Sequence, residues 1–187
     1  MSEIFMHPNV LKKATAEVRT VAGKKALVEE PDIKQLKYKK CIVKEIFRMH
    51  PSAPIAPPSR SNEIEKDREG KIRRVAKTRI IVNAWAVGRD PANWSDPEKF
   101  YPERFEDSDV EFKGGHFQLI PFASGRRICP GWLWGSTTVT YVVANLLKNF
   151  DWEFPEGVKR EGCVHGGGRS VTMHKKTPLI IVPTRVN

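Results

Sequence analysis

From Pro8 onward apolar residues recur at helical spacing: Val10, Leu11, Ala14, Val18 and Val21. Lys12, Lys13, Glu17 and Arg19 fill much of the other surface, and Gly23 supplies a stop. Lys24-Lys25 and Glu29-Glu30-Pro31 read as a loop, after which Asp32 caps a short helix carrying Ile33 and Leu36. A second long helix is expected from Tyr38 to Met49, halted at His50-Pro51 because proline disfavours helical geometry in the residue before it. Its apolar face is Cys41, Ile42, Ile46 and Met49. Glu45 falls near that face with Arg48 three residues on, and a carboxylate near a core needs a partner. The spacing alone favours a surface ion pair, worth at most ~1 kcal/mol.

Beyond Pro51 the pattern shortens. Pro54, Pro57 and Pro58 mark an extended loop, and the charged stretch from Glu63 to Arg74 reads as a hairpin or exposed connection. Thr78 to Asn83 is rich in β-branched residues and reads as a strand. Ala84 to Phe100, dense in proline, aspartate and aromatics, is expected to be an irregular packed meander. A last helix runs from about Trp132 to Leu147, and Phe150 to Pro155 leaves it in extended form. Gly166-Gly167-Gly168-Arg169 reads as a flexible turn, since no lysine–serine/threonine pair or helix follows to make a phosphate cradle. Val171 to His174 and Leu179 to Val182 look like a closing strand pair. These elements make a mainly α chain with small antiparallel β pieces, in the α+β class. It is helical over 1–50, strand and meander over 51–115, a loop over 116–131, and last helix plus strand pair over 132–187.

Composition narrows the function classes. The 187 residues suffice for one well-buried domain, and a net charge of +10 suits an acidic partner or anionic membrane. Cys41, Cys129 and Cys163 are an odd number without paired spacing, which fits a reducing compartment better than a disulfide framework. There is no CxxC pair or HExxH, and no two of the five histidines share a metal-ligand spacing, which argues against zinc. The start lacks a targeting pattern, and the apolar run from Val139 to Leu147 is too short to span a bilayer, so no anchor and a cytosolic chain are expected. The basic residues allow nucleic-acid binding electrostatically, but no aromatic–basic platform or recognised motif supports it.

The candidate chemistry lies at Pro121-Phe122-Ala123-Ser124-Gly125-Arg126-Arg127-Ile128-Cys129-Pro130-Gly131. One cysteine sits between glycines, beside two arginines, at the start of a predicted helix. The helix dipole, unpaired N–H groups and guanidinium charges there favour thiolate over thiol. Pro130 suits the first helical turn, where its missing N–H costs nothing. Such a thiolate serves as a nucleophile, a redox switch or an axial metal ligand.

The spacing Phe122-x-x-Gly125-x-Arg127-x-Cys129-x-Gly131 resembles the haem-binding loop of cytochromes P450. The resemblance implies that Cys129 is the axial ligand of the iron of haem b. It further implies that Arg127 reaches a haem propionate, that Phe122 shields the sulfur, and that Gly125 and Gly131 let the backbone pass close under the porphyrin. Lys44 to Pro51 is similar to the Glu-x-x-Arg helix of the same family, and Phe100-Tyr101-Pro102-Glu103-Arg104-Phe105 to its Pro-Glu-Arg-Phe motif. By that resemblance Glu45, Arg48 and Arg104 form a structural network. The likeness runs from about Met1 to Pro183, is closest to the microsomal, plant-type group, and implies a partial P450 fold, its proximal half. The family's membrane anchor and its long central helix with an acid–threonine pair fall outside it.

Five places depart from the family pattern. Ser59 stands where an arginine meets a propionate; Arg60, one step on, points to the opposite face of an extended segment. Ala123 stands where glycine is usual, Trp134 and Thr140 stand where smaller or acidic residues are common, and Cys163 to Arg169 departs most. The function implied is a haem-thiolate monooxygenase hydroxylating a small apolar substrate at the cytosolic face of the endoplasmic reticulum. Its electrons would come from NADPH-cytochrome P450 reductase, an acidic flavoprotein received on the basic surface from Lys34 to Lys44 with Arg126. The alternative is a truncated, non-catalytic chain that binds haem weakly or not at all, because its residues wall only one face of the porphyrin.

Overall fold

Val10, Ala14, Val18 and Ala22 fall at every fourth position and all four are buried, which sets the inward face of the first long helix. A computed structural model describes residues 1–56, 59–60, 65–66, 73–157, 172 and 178–186, with backbone alone at 59, 65, 66, 73 and 74. The opening helices are α1 (Ser2–Met6), α2 (Pro8–Ala22), α3 (Glu30–Ile33) and α4 (Lys37–Met49). Helix α2 stops where expected, at Gly23, whose φ of 53° lies in the left-handed region.

Helix α3 sits earlier than the sequence reading places it. Glu29 is its N-cap and Asp32 its third residue, and the Asp32 carboxylate accepts the Glu29 N–H at 2.9 Å. This reciprocal capping box draws Glu30 and Pro31 out of the expected loop and leaves Leu36 as the N-cap of α4. Helix α4 gets its N-terminal partner from a distance, since the Glu17 carboxylate accepts the N–H groups of Tyr38 and Lys39 at 2.8 and 2.9 Å.

The strands are short. β1 (Ser59–Arg60) pairs antiparallel with β4 (Arg79–Ile80), and β2 (Glu65–Lys66) with β3 (Arg73–Arg74). The strand expected over Thr78–Asn83 is thus reduced to its second and third residues, with one isolated bridge from Asn83 to Ile55. Ile81 and Val82 remain exposed, because β-branched residues need a facing strand to pack against. The meander contains one helical turn, α5 (Ala84–Val87), and a 3₁₀ turn at Pro102–Phe105.

Helix α6 (Trp132–Asn149) leads directly into β5 (Phe150–Glu153), whose partner is β6 (Val182–Arg185). The final strand therefore begins three residues later than expected and pairs with the exit of α6, in register from Phe150↔Arg185 to Glu153↔Val182. The glycine turn at 166–169, Cys163, Pro57-Pro58 and, apart from Thr172, the expected strand at 171–174 lie outside the described residues. Helices α2, α4 and α6 enclose one core containing Val10, Ala14, Tyr38, Ile42, Met49 and Leu147. A second, aromatic core joins α4 to the cysteine loop through Phe47, Phe105, Phe112 and Leu119.

Candidate functional site

Glu45 and Arg48 are 0% and 1% exposed, so the surface ion pair favoured by spacing alone is buried. The Arg48 Nε and Nη2 donate to the two Glu45 oxygens at 2.7 and 2.8 Å, the bidentate geometry that guanidinium and carboxylate favour. Arg104 Nε donates to Glu45 Oε1 at 3.2 Å, and the Tyr101 N–H donates to the same oxygen at 2.8 Å. The remaining guanidinium protons go to meander carbonyls, from Arg48 to Gly88, Pro97 and Lys99, and from Arg104 to Ser95, Asp96 and Lys99. Gly88 is required there, because a Cβ would run into the Arg48 carbonyl oxygen. The arginines thus staple an irregular chain, poor in its own ladder bonds, onto α4.

Phe122 is half-buried, with its ring centroid 5.0 Å from that of Phe47 and 5.8 Å from that of Phe112. Trp132, at the start of α6, meets Phe112 edge-on at 6.1 Å. This aromatic wall holds both ends of the loop. Between them the Cys129 N–H donates to the Phe122 carbonyl at 2.9 Å, and the Trp132 N–H to the Cys129 carbonyl at 3.2 Å. Ser124 Oγ donates to the Gly114 carbonyl at 2.5 Å, tying the loop to the segment before it.

Pro130 is not in the first helical turn. Gly131 is the N-cap of α6, the first helical N–H bond runs from Gly135 to Gly131, and Pro130 belongs to the tight turn ahead of the cap. Cys129 is exposed and stands just before the helix start, while Cys41 is buried on α4. Burial pushes the Cys41 thiol up, and its sulfur donates to the Lys37 carbonyl at 3.4 Å. Gly125 has a φ of 69°, which a residue with a side chain adopts only at a cost, and Gly131 lies close to the cysteine, 3.9 Å from its sulfur to a Cβ built there.

Arg126 and Arg127 are both exposed, and among the described residues neither has an acidic partner. An exposed cysteine on a loop whose ends are packed in aromatics, with glycine on both sides and, among the described residues, unpaired guanidiniums beside it, fits a flat, carboxylate-bearing macrocycle. Ala123 adds strain to the same loop, with a φ of 63°. Relief of about 1–2 kcal/mol of strain, less about 0.4–1 kcal/mol for the extra chain entropy of glycine, means that Ala123→Gly should not destabilise the chain, and a urea melt with a lower midpoint would refute the strain.

A family model described as Cytochrome P450 matches residues 1–182. The chain belongs to the cytochrome P450 family. It is 48% identical to "Cytochrome P450 71A1" of Persea americana, over 99% of this chain and 36% of that protein. It is 46% identical to "4-hydroxyphenylacetaldehyde oxime monooxygenase" of Sorghum bicolor, over 99% of this chain and 35% of that one. The chain therefore spans about a third of the length of the curated relatives it matches. A solved zebra fish cytochrome P450, a structure with abiraterone, superposes with a TM-score of 0.84 at 24% identity, over 100% of this chain and 43% of that one. The fold is that of part of a P450, mainly helical with small antiparallel sheets, and haem b is the cofactor of the family.

Sequence reasoning missed one feature of the P450 chain. Lys39 and Lys44, taken with Lys34 to Lys44 as a basic surface, are buried, while Lys34, Lys37 and Lys40 stay exposed. The signal was available: Lys39 lies three and seven residues before Ile42 and Ile46, on the apolar face of α4. Among the described residues no helix is long and apolar enough to cross a membrane.

Proposed function

We propose that this chain carries the proximal haem-thiolate site of a P450 monooxygenase, with Cys129 as the iron ligand. The observation that carries the reading is the exposed Cys129 thiol on a loop fixed at both ends by the Phe47–Phe112–Phe122 wall. Haem b, when bound, supplies the oxygen activation that hydroxylates a small apolar substrate. Arg127, exposed beside the thiol, would pair with a propionate. Phe122 would shield the protein side of the sulfur, and Gly125 and Gly131 would let the backbone approach the ring. Glu45, Arg48 and Arg104 hold the scaffold and touch no reacting atom.

Electrons would come from an NADPH-dependent reductase with an acidic face. Of the basic surface from Lys34 to Lys44 with Arg126, the exposed cations that would meet it are Lys34, Lys37, Lys40 and Arg126. By family likeness the site works at the cytosolic face of the endoplasmic reticulum.

A second reading, of a chain that binds haem weakly and does not turn over, draws on α6. Trp134 and Leu133 are 79% and 60% exposed, and Val139 and Val142 also face out, an apolar surface of the kind that needs a covering partner. The carbon monoxide spectrum of the reduced, haem-supplied chain separates the two. The red-shifted thiolate-type Soret band supports the first reading, whereas a band at the position of free or imidazole-ligated haem overturns it. Turnover with NADPH and reductase then tests the monooxygenase itself.

A further inference from the structure

Where α4 crosses α6 the apolar core is interrupted by a lysine. Lys39 is 1% exposed and its Nζ donates to the Thr140 carbonyl at 2.6 Å. That carbonyl is its one acceptor among the described residues. The neighbouring hydroxyl protons are already used inside α6, from Thr140 Oγ1 to the Ser136 carbonyl and from Ser136 Oγ to the Leu133 carbonyl. One acceptor leaves a neutral amine with one N–H unmet and an ammonium with two N–H groups and a charge unmet, so the low dielectric penalises the protonated form more.

Glu17 is the carboxylate acting on this amine, from α2, and its oxygens are already engaged by the backbone of Tyr38 and Lys39. The other charges around the seam are accounted for. Lys44 pairs with Glu111 at 2.7 Å, Lys40 donates to the Lys34 carbonyl, and Asp32 of α3 is held by Lys25. Helix α6 brings no charged side chain between Trp132 and Leu147. Burial outweighs the pull of Glu17 and takes the amine from 10.5 down to about 7. Beside the seam lies a groove of about 250 Å³ that does not reach Lys39 itself but is lined by its neighbours Lys40, Ser136 and Thr140.

We propose that the Lys39–Thr140 contact is a proton-operated latch between α4 and α6, closed and dry when the amine is neutral and opened toward the groove when it gains a proton. The latch stands on chain geometry and does not depend on haem. Its consequence falls on the site all the same, because α6 starts directly after Gly131 of the cysteine loop.

An opened Lys39 regains an ordinary lysine affinity for protons, so the closed state binds fewer protons between pH 7 and pH 10.5. Closure is therefore favoured as pH rises through that window, and the full cost of burying the amine applies below it. Lowering the pH from about 9 to 6 should increase local opening of α6 on the order of 100-fold. Hydrogen exchange of the 138–147 amides in the full chain, corrected for intrinsic rates and referred to amides in α2, reads this change. Lys39→Met should reduce the pH response to less than about threefold, since only the latch is removed. Equal opening of the wild type at both pH values, or the same response in Lys39→Met, overturns the latch. Carbon-13 lysine NMR of the wild type supplies a reading that does not rely on the variant folding. A Lys39 titration midpoint near 7 supports the proposal, and one near 10 refutes it.

Discussion

Glu45→Gln should cost about 3–5 kcal/mol, a large share of the about 5–15 kcal/mol that holds a typical domain folded. The magnitude follows from what the substitution leaves behind. Glu45 accepts bonds from Arg48 Nε, Arg48 Nη2, Arg104 Nε and the Tyr101 N–H, and its side chain is fully buried. Glutamine keeps the volume, so no cavity term enters. It removes the charge between two guanidiniums, and its NH₂ group must face a donor on at least one side. The loss would then spread to the meander, since the Arg48 and Arg104 protons that fix Gly88, Ser95, Asp96, Pro97 and Lys99 depend on the guanidiniums staying in place. Arg104→Lys should cost less than Glu45→Gln, because a lysine keeps the charge beside Glu45 while losing the fork of carbonyl bonds. Urea unfolding of the two variants and the parent gives the order, and a Glu45→Gln shift below about 1 kcal/mol would show the network to be dispensable.

Cys129→Ala should have the opposite profile. The thiol is exposed, so its removal empties no core, and the urea midpoint should stay within about 0.5 kcal/mol of the parent. The thiolate-type carbon monoxide band of the haem-loaded chain should vanish completely, whatever haem still adheres to the aromatic wall. A variant that keeps the red-shifted band would place the ligand elsewhere. A variant that loses both stability and band would mean that the sulfur is a packing element. The two substitutions thus separate a site whose frame is buried charge from a site whose chemistry is one open sulfur.

Much of this was legible along the chain because it depends on local rules. Helical periodicity and the Gly23 and His50-Pro51 stops bound α2 and α4 closely, since a helix is closed by bonds four residues apart and needs no distant partner. The motif spacing likewise singled out Phe122, Gly125, Arg127, Cys129 and Gly131 as one loop. The strands were less legible. Thr78–Asn83 has strand composition along its whole length but pairs over two residues, because a ladder forms only where another segment lies alongside. The same holds for β6, whose register is set by β5 at the exit of α6, far from it in sequence.

By itself, then, the sequence determined where the long helices α2 and α4 run and stop, and which cysteine stands in a glycine- and arginine-flanked loop. The tertiary structure decided what those residues experience. Glu45–Arg48 reads the same in sequence whether exposed or buried, and only the meander folding over α4 makes it a buried staple. Lys39 looks like one more cation in a basic run until α6 closes over it and, among the described residues, leaves it a single carbonyl. The physical reason is common to both: spacing fixes the face on which a side chain sits, but the cost of a charge there depends on how much water the neighbouring elements exclude.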